Sequence, residues 1–202
     1  MIFQFGFLPA FSGYRFKQSL RSVLKGEVVK DMVEDTNGFI ILLTDKGLRS
    51  YDGHRIWKLE GRIEGVKPKA AIRRMSFQKN SNLIWLLAGE EAYIFDLTTR
   101  NFRSFFYENP RPEFIRGKIW KIFATDRGVY FIDSRRNITY WNAASGVYTK
   151  VTGSKSKGKS NSIYVCHPSL DKSGNLWFSG GGDDVFRRNY SGIPAPLGLG
   201  LG

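Results

Sequence analysis

"NGFIILLTDKGLRSYDG", residues 37–53, sets an unbroken apolar run, Phe39 to Leu43, beside a tight polar turn and a short run closed by Asp52-Gly53. An antiparallel strand with one wet face alternates apolar and polar side chains. Five apolar residues in succession do not alternate, so both faces of this strand need cover. A parallel sheet supplies that cover with crossover helices, but no helical pattern of useful length lies between such runs here. Sheets packed face against face supply it without helices.

The segment is written four times. The copies are "VVKDMVEDTNGFIILLTDKGLRSYDGHRIWKLE" from Val28, "AIRRMSFQKNSNLIWLLAGEEAYIFDLTTRNFRSFF" from Ala71, "IWKIFATDRGVYFIDSRRNITYWNAASGVYTKV" from Ile119 and "SIYVCHPSLDKSGNLWFSGGGDDVFRRNYSG" from Ser162. Equivalent apolar positions Phe39, Leu83, Val129 and Leu176 are spaced by 44, 46 and 47 residues. The ends of the third runs, Asp52, Asp96, Asn142 and Asn189, give the same three intervals. Each copy has an alternating run, a polar turn, the strongly apolar run, a second polar turn, a short aromatic or β-branched strand and a last turn and strand. Asp and Asn with Gly nearby suit tight hairpins.

Four strands in up-down-up-down order, repeated at ~40–50 residues, make the radial blades of a β-propeller, with the second run as the doubly buried inner strand. The expected fold is therefore all-β: a partial β-propeller of about four four-stranded antiparallel blades, the last incomplete. The blades fall at about 28–60, 71–107, 118–152 and 162–190 within a propeller of 14–192, and 193–202 reads as a flexible tail. A plain β-sandwich is the alternative, although it would not by itself require a repeat. "YRFKQSL", residues 14–20, alternates as an outer strand would, and is expected to belong to the closing blade of a fuller ring.

The 202 residues suffice for one domain with a real core, and hydrophobic content of 42% excludes a disordered composition. The 22 glycines and nine tyrosines suit a turn-rich β protein. The net charge of +13 raises a polyanion partner such as nucleic acid, acidic glycan or membrane surface, but Lys and Arg are scattered. The one dense basic run, Lys155, Lys157 and Lys159, reads as a solvated Ser/Gly-rich loop. No nucleic-acid partner is expected. The single cysteine, Cys166, excludes an internal disulfide, and no apolar run reaches the ~18–20 residues of a membrane span. Residues 1–13, apolar and uncharged with Ala10 and Ser12 before Gly13, read either as the remnant of an export signal that lacks its basic start or as a buried strand.

Copies one and four resemble the two-component regulator propeller repeat, whose pattern is I-x-x-D-x-x-G-x-L-W-x-G-T followed by G-L-x-x-Y-D/N. Copy four matches through Asp171, Gly174, Leu176, Trp177 and Gly180, and copy one through Asp35, Gly38, Gly47, Leu48, Tyr51, Asp52 and Gly53. Copy two keeps Trp85 and Gly89 but lacks the turn glycine, and copy three has no tryptophan in its inner strand. The resemblance implies the periplasmic sensor part of a hybrid histidine kinase, set before a membrane span, a kinase core and often a DNA-binding output domain. It implies a non-enzymatic ligand-binding scaffold, a glycan-type ligand such as an oligosaccharide, and as partners the rest of a receptor chain or a second receptor copy. Such sensors carry more repeats than four, so the chain is expected to be a fragment.

The candidate chemistry is sparse. His54 lies in a turn, and a kinase phospho-acceptor would need a helix. Cys166 and His167 are adjacent, so on a strand they point to opposite faces and make no dyad. Two histidines and one cysteine cannot build an ordinary zinc site. "DTNG" and "DKSG" lack the distal Glu of a calcium loop, "GGGDD" lacks the Lys-Ser/Thr of a phosphate loop, and "LGLGLG" has no kinase domain around it. No catalytic, cofactor-binding or metal residues are expected, and no cofactor. Trp85 and Trp177 sit at inner-strand centres and read as core; Trp57, Trp120 and Trp141 lie nearer strand ends, where one could reach a rim and stack on a sugar. Arg73, Arg74, Arg135 and Arg136 are the cations that could meet an anionic glycan. The runner-up function is a propeller-fold lyase or glycosidase, which needs convergent carboxylates or histidines at the axis.

Overall fold

The computed structural model describes residues 24–60, 62–63, 70–151, 166–171, 173–179, 185–188 and 195–196. The expectations for residues 1–20, the Lys155–Lys159 run, "GGGDD" and "LGLGLG" lie outside these residues.

The first sheet comprises β1 (Val29–Glu34), β2 (Ile40–Thr44), β3 (Gly47–Tyr51) and β4 (Ile56–Lys58), in that spatial order. The second contains β5 (Arg62–Ile63), β6 (Ile72–Gln78), β7 (Leu83–Ala88), β8 (Glu91–Asp96) and β9 (Asn101–Ser104). A single helical turn, α1 (Phe105–Glu108), follows it. The third sheet is β10 (Ile119–Thr125), β11 (Gly128–Asp133), β12 (Ile138–Asn142) and β13 (Tyr148–Lys150); the fourth is β14 (Cys166–Leu170), β15 (Leu176–Ser179), β16 (Val185–Arg188) and β17 (Ala195–Pro196). Apart from β5, each is a four-stranded antiparallel meander, as the repeat grammar requires.

Three details depart from the expected pattern. The second sheet has a fifth strand, because β5, from the connection between copies, runs parallel to β9. The run "NFRSFF" is strand only through Ser104; one helical turn then places Phe105 between the second and third sheets. The fourth sheet, expected to stop short, has a two-residue fourth strand inside the supposed tail, where Ala195 and Pro196 pair with Arg187 and Phe186. Proline is tolerated at such an edge, which is why "IPAP" hides a strand.

The inner strands explain the unbroken apolar runs. Ile84, Leu86 and Ala88 of β7 pack with Ile41, Leu43 and Leu48 of the first sheet. Trp85 and Leu87, the intervening residues, pack with Ile122, Val129 and Phe131 of the third. In β11, Val129 and Phe131 face the second sheet, whereas Tyr130 and Ile132 face Leu176 and Phe178 of the fourth. A strand alternates faces with period two, so cover on both faces demands an apolar residue at every position. Ile84 is 0% exposed and Trp85 2%. Each fully buried side chain of this size contributes roughly 1.5–3 kcal/mol by leaving water.

The turns repeat as well. Asp52, Asp96 and Asn142 each accept, at their side-chain Oδ1, the backbone N–H groups two and three residues on, at 2.6–3.1 Å. That is why the third runs end in Asp or Asn. Asp35, Asp133 and Asp171 each accept N–H groups two and four residues on. In the fourth sheet this turn places Gly174 at φ +77°; the second copy, lacking that glycine, uses a 3₁₀ turn at Lys79–Ser81 and puts Asn82 at φ +56° instead. Asn is among the few side chains that accept this region.

Candidate functional site at the axial mouth

The first strand of each sheet lies beside the first strand of the next. The Met75 N–H donates to Asp31 Oδ2 at 2.9 Å, the Ala124 N–H to Ser76 Oγ at 2.8 Å, and Lys121 Nζ to the Pro168 carbonyl at 2.9 Å. β1, β6, β10 and β14 are thus the axial strands, and the space beside them is where a ring of blades has its channel.

Each axial strand breaks register near its start. The shift falls between Val29 and Asp31, between Ile72 and Arg74, between Ile119 and Lys121, and between Cys166 and Ser169. In the first three, one residue is left without a cross-strand partner: Lys30, Arg73 and Trp120. A bulge of this kind re-aims a side chain. All three of these residues line one cavity of about 490 Å³, together with Arg74 and Leu87. The mouth is therefore built from three consecutive sheets.

Arg73 is held in place. Its Nη2 donates to the Gly89 carbonyl at 2.8 Å, and its Nε is buried with no acceptor. Gly89 turns at φ +63°, and a Cβ there would lie 3.2 Å from the Cβ of Ala70, so the turn that anchors Arg73 has little room for a side chain. The more exposed Arg74 donates from Nη1 to the Arg73 carbonyl at 3.0 Å. Trp120 is 38% exposed, with Lys121 Nζ 6.0 Å from its ring centroid. Burial lowers the pKa of Lys121, and the Arg74 guanidinium lowers it further; the Asp31 carboxylate opposes both.

The opposite end of the axial strands differs. A cavity of about 620 Å³ there is lined by Glu34, Asp35, Thr36, Ser76, Lys79 and Phe123 among others. Its Asp35 is already engaged in the turn at Asn37 and Phe39.

The structure thus brings together three of the residues singled out in the sequence: Arg73, Arg74 and Trp120. It does not bring in the others. Arg135 and Arg136 lie in the β11–β12 turn, one strand further out, where the Arg135 N–H donates to Asp133 Oδ1. Trp57 stands edge-on to Phe39 at 6.0 Å. Trp141 packs on Phe105 at 4.8 Å and on Trp85 at 6.0 Å, in the gap between the second and third sheets. Trp177 donates to Asp171 Oδ2 at 2.8 Å, and this bond, with those from Asn175 and Ser173, holds the Asp171 carboxyl down at about 2. His54 is exposed and serves its turn through its backbone N–H. Lys30 was not singled out; the bulge, which carries no residue signature, is what places it. Among the described residues, no group of three His, Cys, Asp or Glu side chains could hold a metal ion, and no helix is long and apolar enough to cross a membrane.

Comparison with solved structures settles the architecture. The chain superimposes on a virginiamycin B lyase from Staphylococcus aureus with a TM-score of 0.53 and 14% identity, over 85% of this chain and 56% of the lyase. The fold is a β-propeller in part. The extracellular domain assigned to the hybrid two-component system BT3049 of Bacteroides thetaiotaomicron matches with a TM-score of 0.50 and 17% identity, over 83% of this chain and 29% of that one. The corresponding domain of BT4673 from the same organism matches with a TM-score of 0.46 and 19% identity, over 85% of this chain and 28% of that one. At these identities the likeness shows the propeller fold. The chain spans under a third of the length of the two sensor domains and just over half that of the lyase. No protein-family model matches the chain, and no curated protein matches it either.

Proposed function

We infer that the chain is a non-enzymatic ligand-binding scaffold, part of the exported input propeller of a two-component signalling receptor, with the basic axial mouth as its ligand site. The observation that carries this reading is the convergence of the three bulge residues, Lys30, Arg73 and Trp120, on one cavity. A propeller core needs no such convergence: stability comes from the gaps between sheets, and exposed cations at an axis add little to it. The cavity falls within the ~300–1,000 Å³ of small-ligand sites. Its exposed indole gives a flat apolar face on which a sugar ring can stack, which fits the oligosaccharide implied by the repeat. The periplasmic location and the receptor partner rest on the same resemblance.

The propeller lyase is the second reading, and the likeness of fold to virginiamycin B lyase favours it. Against it stands the chemistry of the mouth. Among the described residues its lining is Lys, Arg, Leu and Trp, without a carboxylate or histidine for acid–base work. Calorimetric titration with a panel of neutral and acidic oligosaccharides, followed by chromatography of the recovered ligand, separates the two. The expected result is saturable binding, abolished in Trp120→Ala, with the ligand recovered intact. Cleavage of the ligand, or binding indifferent to Trp120→Ala, would overturn the scaffold reading.

A further inference from the structure

The mouth is predominantly basic. Three of its five described lining residues are cations, and no carboxylate is among them. The acid nearest in sequence to this end of the first axial strand, Asp31, accepts the Met75 N–H at 2.9 Å and so serves the contact between sheets. Arg73 is oriented by the Gly89 carbonyl through Nη2, while its buried Nε–H has no acceptor. A guanidinium presents its N–H groups in a fixed fork that matches a carboxylate or sulfate edge. The Nε–H is shut off from solvent, so a bound anion would meet the other N–H groups of the Arg73 fork and the more exposed Arg74. Lys121, beside Arg74, adds a further cation close to the mouth, partly offset by the Asp31 carboxylate.

We propose that the axial mouth binds an acidic sugar, with its carboxylate or sulfate on the guanidinium groups of Arg73 and Arg74, its ring on the face of Trp120, and Lys30 at the rim. This rests on the scaffold reading and narrows its ligand to one class. The two anionic groups share their chemistry toward guanidinium, so both are tested.

The experiment titrates the purified chain with a galacturonate trisaccharide and a sulfated galactan disaccharide, each beside its uncharged counterpart (the methyl ester and the unsulfated sugar). At least one acidic probe should bind at least tenfold more tightly than its neutral partner. Arg74→Ala, at an exposed position, should weaken that binding about tenfold, as loss of one charge-assisted hydrogen bond does, with the unfolding midpoint unchanged. Arg73→Ala should weaken it at least as much, and raising salt from about 0.05 to about 0.5 M should weaken it too. Equal binding of charged and uncharged probes, lost in Trp120→Ala, would sink the acidic-sugar inference and leave the scaffold reading standing. Binding of no probe, charged or neutral, would overturn both. A mixed-sequence DNA duplex bound as tightly as the sugars would overturn the inference by showing an unselective basic patch.

Discussion

The gap between the second and third sheets and the axial mouth lie against the same strands, yet they are built to opposite rules. In the gap, Trp85, Phe105, Phe131 and Trp141 form a cluster of rings, with Phe105 4.8 Å from both tryptophans and 5.6 Å from Phe131. The one polar handle on Trp85, its Nε1, donates to Gln78 Oε1 at 2.9 Å. At the mouth, the same second and third sheets contribute two arginines and a half-open tryptophan, and one guanidinium nitrogen is left without a partner. The gap is filled by apolar rings, although Trp141 Nε1 there also lacks a partner, whereas the mouth leaves Arg74 and part of Trp120 open to solvent. Regular pairing aims side chains into the gaps; the bulges re-aim one residue per sheet into the mouth. The two regions are therefore expected to respond independently to substitution.

The largest expected effect comes from the gap. Trp85→Ala should destabilise the fold by about 3–5 kcal/mol, read from urea unfolding, because it empties the centre of the ring cluster. A loss below about 1 kcal/mol would break the comparison. The turn-capping carboxylates come next. Asp96→Ala removes two hydrogen bonds from an exposed turn and should cost about 1 kcal/mol. Asp96→Asn should cost less, since Asn142 makes the same two bonds in the third sheet.

A smaller effect should show only in acid. The Trp177 N–H, ahead of the bonds from Asn175 and Ser173, holds the folded Asp171 carboxyl at about 2, below its ordinary 3.8. A depressed folded pKa contributes stability above the unfolded value and loses it as the pH falls toward the folded one. The wild type should therefore lose stability between about pH 4 and pH 2 more steeply than Asp171→Asn, measured as the difference between their unfolding midpoints. Parallel curves would remove this carboxylate from the account. The smallest effect belongs to the mouth: Arg74→Ala should shift stability by no more than about 0.5 kcal/mol. A larger loss would mean that the mouth supports the fold after all.

Most of the architecture was legible in the sequence because a strand buried on both faces has only one way to be written. "FIILL", "LIWLLA" and "VYFID" announce it, and the Asp and Asn markers gave the period, three of them, Asp52, Asp96 and Asn142, making the same turn bonds. The parallel strand Arg62–Ile63 was not legible: two residues in a connection carry no periodic signal. Nor was the strand at Ala195–Pro196, since a proline-rich segment reads as an ending. The site was half legible. Arg73, Arg74 and Trp120 stood out by residue type, but so did Arg135, Arg136, Trp57 and Trp141, which lie elsewhere. What sorts Arg73 and Trp120 is the bulge in each of their axial strands, with Arg74 following Arg73 into the mouth. A bulge changes which way a residue points without changing which residue it is, so only the pairing register reveals it.

The central claim is that successive residues of one inner strand serve different neighbouring sheets. A pair of double-mutant cycles tests it most directly. Trp85 and Phe131 lie in neighbouring sheets with ring centroids 6.4 Å apart, whereas Leu43 packs in the gap on the other side of the second sheet. Truncating Trp85 and Phe131 together should reveal a coupling of about 0.5–1.5 kcal/mol, while Trp85 and Leu43 should add to within about 0.5 kcal/mol. Coupling between Trp85 and Leu43 with none between Trp85 and Phe131 would put both faces of the strand in the wrong company and contradict the radial stacking of the sheets.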